Sequence, residues 1–245
     1  MGTPEEVTPW LNMMVYSEPG VGKTHFVGTA NEHPMTEPLL VLDIDGGVST
    51  LRKFAKKPDV KPIRSTDDLI KMYRDLYNAI PSDGSKYPYG TIAIDTFSEL
   101  QQLNLRNIMK QFAKINDKID ADVPDQRGYG KSGTQMRDIL RVFRDLPCNT
   151  IFSCHSKSDR DNNMRLVVYP ALVGQLRIQA PGFLDIVGYY RMESDGDGVK
   201  RLMQFQGTET AIAKDRLGAF DAVEVNPTIP MLWDKLQSAN KGESK

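Results

Sequence analysis

Three features of the sequence predict an α/β fold: a mainly parallel central sheet flanked by helices, with β-hairpins towards the carboxyl end. Short apolar runs alternate with longer segments of helical period. The first run opens directly into a glycine-rich turn, "SEPGVGKT" (residues 17–24), which leads into a helix. Two later runs end in aspartate, at the carboxyl edge where open α/β sheets bind their ligands.

The elements follow in order. "LNMMVYS" reads as the first strand, and the helix after the turn starts near Lys23. "PLLVLDID" is apolar until its two aspartates, as suits a strand buried on both faces. In "STDDLIKMYRDLYNAIP", Ser65 and Asp68 form a capping pair, Leu69, Met72, Tyr73, Leu76 and Ile80 share one helical face, and Pro81 ends the helix. "GTIAID" is the third strand, and the long helix after it carries Leu105, Ile108, Phe112 and Ile115 on one stripe. Residues 117–133 are polar, glycine-containing and aperiodic, which predicts an exposed loop. "TQMRDILRVFRDLP" is again helical, with Met136, Ile139, Leu140 and Phe143 facing inward and Arg137, Arg141 and Arg144 on the opposite, solvated side. "NTIFSCHS" is the fourth strand, and a second polar stretch, "KSDRDNNMR", follows it. "RLVVYP", "DIVGYYRM", "KRLMQFQ" and "TAIAKD" read as short strands joined by tight turns such as "SDGDG". The chain therefore divides into an amino-terminal segment (1–10), one core (11–235) and a disordered tail (236–245).

With 31 basic and 32 acidic side chains and 40% hydrophobic residues, the composition is that of an ordinary globular domain. That balance creates no global field for nucleic acid, so such binding has to come from local patches. No apolar run is long enough to cross a bilayer and no signal core is evident, which predicts a cytoplasmic protein with no membrane partner. Cys148, Cys154 and the three histidines have no zinc-ligand spacing, so two buried thiols are expected.

The turn fits G-x-x-x-x-G-K-[ST], the phosphate-binding loop, except that Ser17 stands at the first glycine. Backbone N–H groups of such a loop cradle phosphates, the lysine reaches the β and γ groups, and the hydroxyl binds magnesium. Glu18, Pro19, Gly20, Val21, Gly22, Lys23, Thr24 and His25 are the expected ATP contacts, and Thr24 and Asp95 the expected Mg2+ ligands. Asp95 ends its apolar strand where a Walker B carboxylate would, although a strand-end Asp95 or Thr96 could equally cap the next helix. Thr96 follows Asp95 in place of glutamate, which argues against the AAA+ arrangement and moves the catalytic base to another strand. Asp45 is the candidate base, with Asp43 two residues earlier supporting the metal or the loop; either could instead cap the Gly46-Gly47 turn. His155 ends the fourth strand, where it could contact the γ-phosphate or be held by local backbone bonds.

Taken together, "SEPGVGKT", "LDIDGG", "TIAIDT", "YGKSGTQMRDILRVFRDLP", "TIFSCHSK" and "AIAKDRLGAF" resemble the phage-encoded RecA-like ATPases of the single-strand-annealing type, a minimal form of the RecA, RadA and DnaB core, over residues 11 to 220. The resemblance implies a RecA-like P-loop NTPase core with the fourth strand between the P-loop and Walker B strands. It implies a Mg-dependent ATPase stimulated by DNA, acting in recombination or repair in the host cytoplasm, with a single-strand-binding protein as a further partner. Lys214 and Arg216 would reach into a neighbouring subunit's nucleotide, completing the site only in a homo-oligomer, ring or filament; a solvated basic edge strand is the alternative. Single-stranded DNA would meet two loops, one with Arg127, Tyr129 and Lys131 and one with Lys157, Arg160 and Arg165, although each loop also carries aspartates. A ring-helicase motor, or a nucleotide-switched loader that binds a protein and ignores DNA, are the competing functions.

Overall fold

The structure is a computed structural model that describes residues 10–196 and 198–241; residues 1–9 of the amino-terminal segment and 242–245 of the tail lie outside it. In chain order the elements are β1 (Asn12–Ser17), α1 (Lys23–Gly28), β2 (Leu39–Asp43), β3 (Asp59–Pro62), α2 (Thr66–Asn78), β4 (Thr91–Asp95), α3 (Phe97–Ile115), α4 (Gln126–Arg144), β5 (Asn149–Arg160), β6 (Leu166–Pro170), α5 (Leu176–Phe183), β7 (Ile186–Asp195), β8 (Gly198–Gln204), β9 (Lys214–Asp215), β10 (Val223–Val225) and α6 (Ile229–Asn240). The sheet runs β10-β8-β7-β1-β5-β4-β2-β3, with β6 added to β5 and β9 to β7. The strands from β7 to β3 are mutually parallel, and the antiparallel pairs β5–β6, β7–β8, β7–β9 and β8–β10 belong to the carboxyl half. β5 lies between β1 and β4, the order the RecA-like reading implies. No helix among the described residues is long and apolar enough to cross a membrane.

Parallel strands covered on both faces bury every side chain, which is why these runs read as continuous apolar segments. Along β1, Met13 and Val15 pack with Phe26, Val27, Leu232 and Trp233 beneath α1 and α6, while Met14 and Tyr16 point the other way, towards Leu69, Leu100, Met136 and Phe143 of α2, α3 and α4. Asn149, fully buried, joins three strands: its Oδ1 accepts from Leu11 N–H at 3.0 Å and its Nδ2 donates to Gly90 O at 2.8 Å. The Ser65 cap forms as the sequence predicts, accepting from Asp68 N–H. Both cysteines are free and buried, and burial pushes each thiol up to about 12.

Three expectations need correction. Residues 117–133 are not one loop, because Asp125 caps Gly128 N–H at 2.7 Å and α4 begins at Gln126. The helical period was hidden because its buried positions there are Gly128 and Ser132; a Cβ on Gly128 would lie 2.5 Å from Met109 Sδ of α3. The polar stretch 157–165 is a hairpin, with β5 running to Arg160 and β6 folding back on it. The tail expected from residue 236 is helical to Asn240, since Leu236 is buried beside Trp233.

Candidate functional site

The loop between β1 and α1 turns through Gly20 (φ 84) and Gly22 (φ 111), a left-handed backbone that excludes most side chains. Lys23 folds back into the loop, and its Nζ donates to Ser17 Oγ at 3.0 Å, Ser17 O at 3.2 Å and Glu18 O at 3.4 Å. Ser17 is fully buried and its hydroxyl donates in turn to Glu18 O at 2.8 Å. Burial pulls the Lys23 ammonium below the ordinary lysine range, opposed by the charges of Asp95, Cys154 and Asp45.

Thr24 begins α1 and donates its hydroxyl to Asp95 Oδ2 at 2.7 Å, while Ser153 of β5 donates to Asp95 Oδ1. Burial raises the Asp95 pKa; the Ser153 and Thr24 hydrogen bonds pull it down, Asp45 pushes it up and Lys23 lowers it. Thr96, not Asp95, caps α3, accepting from Glu99 N–H at 3.4 Å, so the Asp95 carboxylate stays committed to the loop. A hydroxyl and a carboxylate meeting at the end of a phosphate loop are hard oxygen donors suited to Mg2+. Among the described residues no group of three or more His, Cys, Asp or Glu could hold a metal alone.

Asp43 and Asp45 do not share an extended strand, because β2 ends at Asp43. Asp43 is buried and accepts from Gly46 N–H at 2.8 Å, whereas Asp45 is exposed and accepts from Gly47 N–H at 2.9 Å. Both carboxylates therefore cap the turn, but only the Asp45 charge is felt at both Lys23 and Asp95. His155 lies level with Ser17 across the β1–β5 pair. Its N–H donates to Ser98 Oγ at 3.1 Å, yet its ring Nδ1 is buried without a partner among the described residues. Backbone bonds therefore do not hold the imidazole Nδ1.

Two residues beyond His155, β5 enters a cleft of about 1200 Å³ walled by α4, the β5–β6 hairpin and α5. Tyr129, Gly130, Gly133 and Arg137 line it from α4, Lys157 and Tyr169 from the hairpin and Arg177 from α5. Its lining holds three basic residues and no acidic one, but Asp159 of β5, at its edge, lies 3.9 Å from Lys157 and 3.8 Å from Arg177 and accepts from the Tyr169 hydroxyl. Arg137, which the sequence assigns to solvent, is half-buried here with Nη1 donating to Gln179 Oε1 at 2.5 Å. Arg177 lies 4.4 Å over the Tyr169 ring. The other candidates do not line the cleft: Arg127 pairs with Asp125, Lys131 lies over Phe112, Arg160 donates to Met164 O, and Arg165 pairs with Asp161 and Glu209.

Lys214 and Arg216 sit near the far end of the sheet from the loop, where β9 pairs with Ile186 and Val187. Lys214 Nζ donates to Leu184 O at 2.7 Å and Pro181 O at 3.1 Å. Arg216 donates to Asp185 Oδ1 at 2.6 Å and to Gly182 O at 3.2 Å. The pair is thus docked on the end of α5 within its own subunit, and Lys214 is only half-exposed. Sequence reasoning missed the Ser17 and Ser153 hydroxyls, Tyr169 and Arg177 in the cleft, and Arg201, which leans on the P-loop from β8; none of them carries a motif signal.

Fold and site together define a P-loop nucleotide-binding protein of the ATPase class. Residues 10–217 match the family model described as AAA domain, and the chain belongs to that family. It is similar in structure to a KaiC-like protein from the hyperthermophilic archaeon Pyrococcus horikoshii OT3, at 12% identity with 88% of each chain covered and a TM-score of 0.43. None of the curated proteins matches it.

Proposed function

We propose that the chain is an ATP-dependent single-stranded-DNA-binding protein of recombination or annealing, phage-encoded and active in the host cytoplasm, that hydrolyses ATP as a homo-oligomer. The observation that carries this reading is the cleft: Arg137, Lys157 and Arg177, with Asp159 at the edge as the one paired acid, on a chain of net charge −1, beside the exposed ring of Tyr129. Basic groups that track phosphates, with an aromatic platform for a base, are the chemistry of single-strand binding. In support, β5 joins the cleft to the loop edge of the sheet: His155 O accepts from Ala171 N–H at 2.8 Å, and Ala171 lines the cleft.

For hydrolysis, Lys23 leaves its loop acceptors and donates to the β- and γ-phosphates. Asp45 orients the attacking water and takes its proton, and His155 faces the γ-phosphate. Thr24 and Asp95 would hold magnesium, which would supply charge neutralisation at the phosphate oxygens. Lys214 and Arg216 of a neighbouring subunit stabilise charge on the transferred group, which requires them to leave the carbonyls of Pro181, Gly182 and Leu184 and the Asp185 carboxylate.

The test is ATP turnover with and without single-stranded DNA, together with a gel shift at low and high salt. Stimulation that is lost in Lys23→Ala, and a shift weakened in Tyr129→Ala and Lys157→Ala, are expected. Equal rates with and without DNA and no shift at low salt would refute the reading. Strand displacement would assign a ring-helicase motor instead, and capture of a protein partner without nucleic acid would assign a loader.

A further inference from the structure

Arg201 of β8 is held by both its backbone groups and aims its side chain at the P-loop. Its N–H donates to Asn226 Oδ1 at 2.9 Å, and its carbonyl accepts from Asn226 N–H at 2.6 Å. Asn226 follows β10 with a left-handed backbone, φ 46, which turns its amide and side chain back onto β8. From that anchor Arg201 Nε donates to Val21 O at 2.9 Å. The guanidinium lies against Gly22 so closely that a Cβ there would be 3.2 Å from Nε and 3.9 Å from Nη2. A side chain at Gly22 would therefore crowd the guanidinium as well as strain the backbone. Arginine has five N–H donors. Beyond the Val21 bond, the Arg201 side chain has no hydrogen-bond acceptor and no carboxylate partner among the described residues. It is a half-buried, permanently charged fork beside the loop that receives a polyanion.

We propose that Arg201 is a nucleotide ligand supplied by the same chain, and that its Nη groups donate to the α-phosphate end of the bound nucleotide. The sheet order sets which end. Asp95 ends β4 and Asp45 lies in the turn after β2, on one side of β1, whereas Arg201 comes from β8 on the other. The γ-phosphate faces the carboxylates, so the opposite end of the phosphate chain faces Arg201. The contact also ties the carboxyl-terminal hairpin and Asn226 to occupancy of the loop. This inference rests on the nucleotide-binding reading of residues 17–24.

The experiment compares wild type, Arg201→Gln and Arg201→Lys as full chains with fluorescent ATP, ADP and AMP analogues, and follows melting with and without ADP. Glutamine preserves most of the length and can still donate to Val21 O but carries no charge. Arg201→Gln is expected to weaken all three nucleotides by the same factor, about 10-fold or more. The nucleotide-free melting point stays at the wild-type value, while the ADP-induced rise shrinks. Arg201→Lys falls between the two, because a point charge replaces the fork. Unchanged ADP affinity, loss confined to ATP, or an equal fall in melting point with and without ADP would overturn the assignment. Wild-type chain that binds no nucleotide, like Lys23→Ala, would instead overturn the reading of the loop itself.

Discussion

Replacing Ser17 with alanine tests the one position at which the P-loop departs from its pattern. The Ser17 hydroxyl accepts from Lys23 Nζ at 3.0 Å and is fully buried, and Lys23 keeps two longer bonds to the Ser17 and Glu18 carbonyls. Hydrogen bonds to charged groups contribute about 1.5–3 kcal/mol, and the two remaining acceptors put the loss near the lower end, about 1.5 kcal/mol. For a chain of this size that lowers the nucleotide-free melting midpoint by roughly 3–6 °C. Lys23 has to leave this hydroxyl to reach the phosphates, so the same free energy appears as tighter binding, up to about 10-fold in Kd. Nucleotide-free melting and titration of an ATP analogue, measured on the same preparation, check both numbers. Weaker nucleotide binding in Ser17→Ala would show that the hydroxyl belongs to the bound loop and would refute the reasoning; so would a melting point and affinity both equal to wild type.

Other substitutions separate stability from catalysis. Asp95 has a raised pKa, so its carboxylate adds most to folding when protonated, and that contribution is lost as pH rises through the folded value. Asp95→Asn should therefore raise the nucleotide-free melting point at neutral pH and flatten its acid side, while abolishing Mg-dependent turnover; a lower melting point at pH 7 would contradict this. Arg216→Ala should retain ATP affinity and lose turnover by 10²-fold or more in the assembled protein, with recovery in mixtures with Lys23→Ala subunits; wild-type turnover excludes a role in trans. Asn149→Ala leaves Leu11 N–H without its acceptor and removes the bond to Gly90 O, costing on the order of 2–4 kcal/mol. A melting point within a degree of wild type would contradict that account.

Much of the nucleotide half of the site was legible in the sequence, because its residues lie at strand ends or in the short loop and helix start that follow one. The apolar runs end at Ser17 and Asp95 on the two strands that flank β5, and parallel strands present their carboxyl ends along one edge of the sheet. Asp45 could be separated from Asp43 only once the chain was seen to turn after residue 43. The strand-binding candidates were less legible. Tyr129 and Lys157 line the cleft, but Arg137 was assigned to solvent because its own helix face is polar, and the wall that covers it comes from α5. Helix α4 itself was under-read at Gly128 and Ser132, since small residues that allow close packing leave no hydrophobic period.

The sequence by itself determined the α/β class, the P-loop, the strand-end aspartate and the apolar strands, all of which follow from local spacing along the chain. Only the tertiary structure decided that Ser17 holds Lys23, that Lys214 and Arg216 are docked on α5, and that Arg137, Lys157 and Arg177 share one cleft. It alone brought Arg201 against Gly22, 180 positions separating it from the Val21 carbonyl it meets. Periodicity records which face of an element is buried; which other element covers that face depends on long-range packing, and no local pattern carries that information.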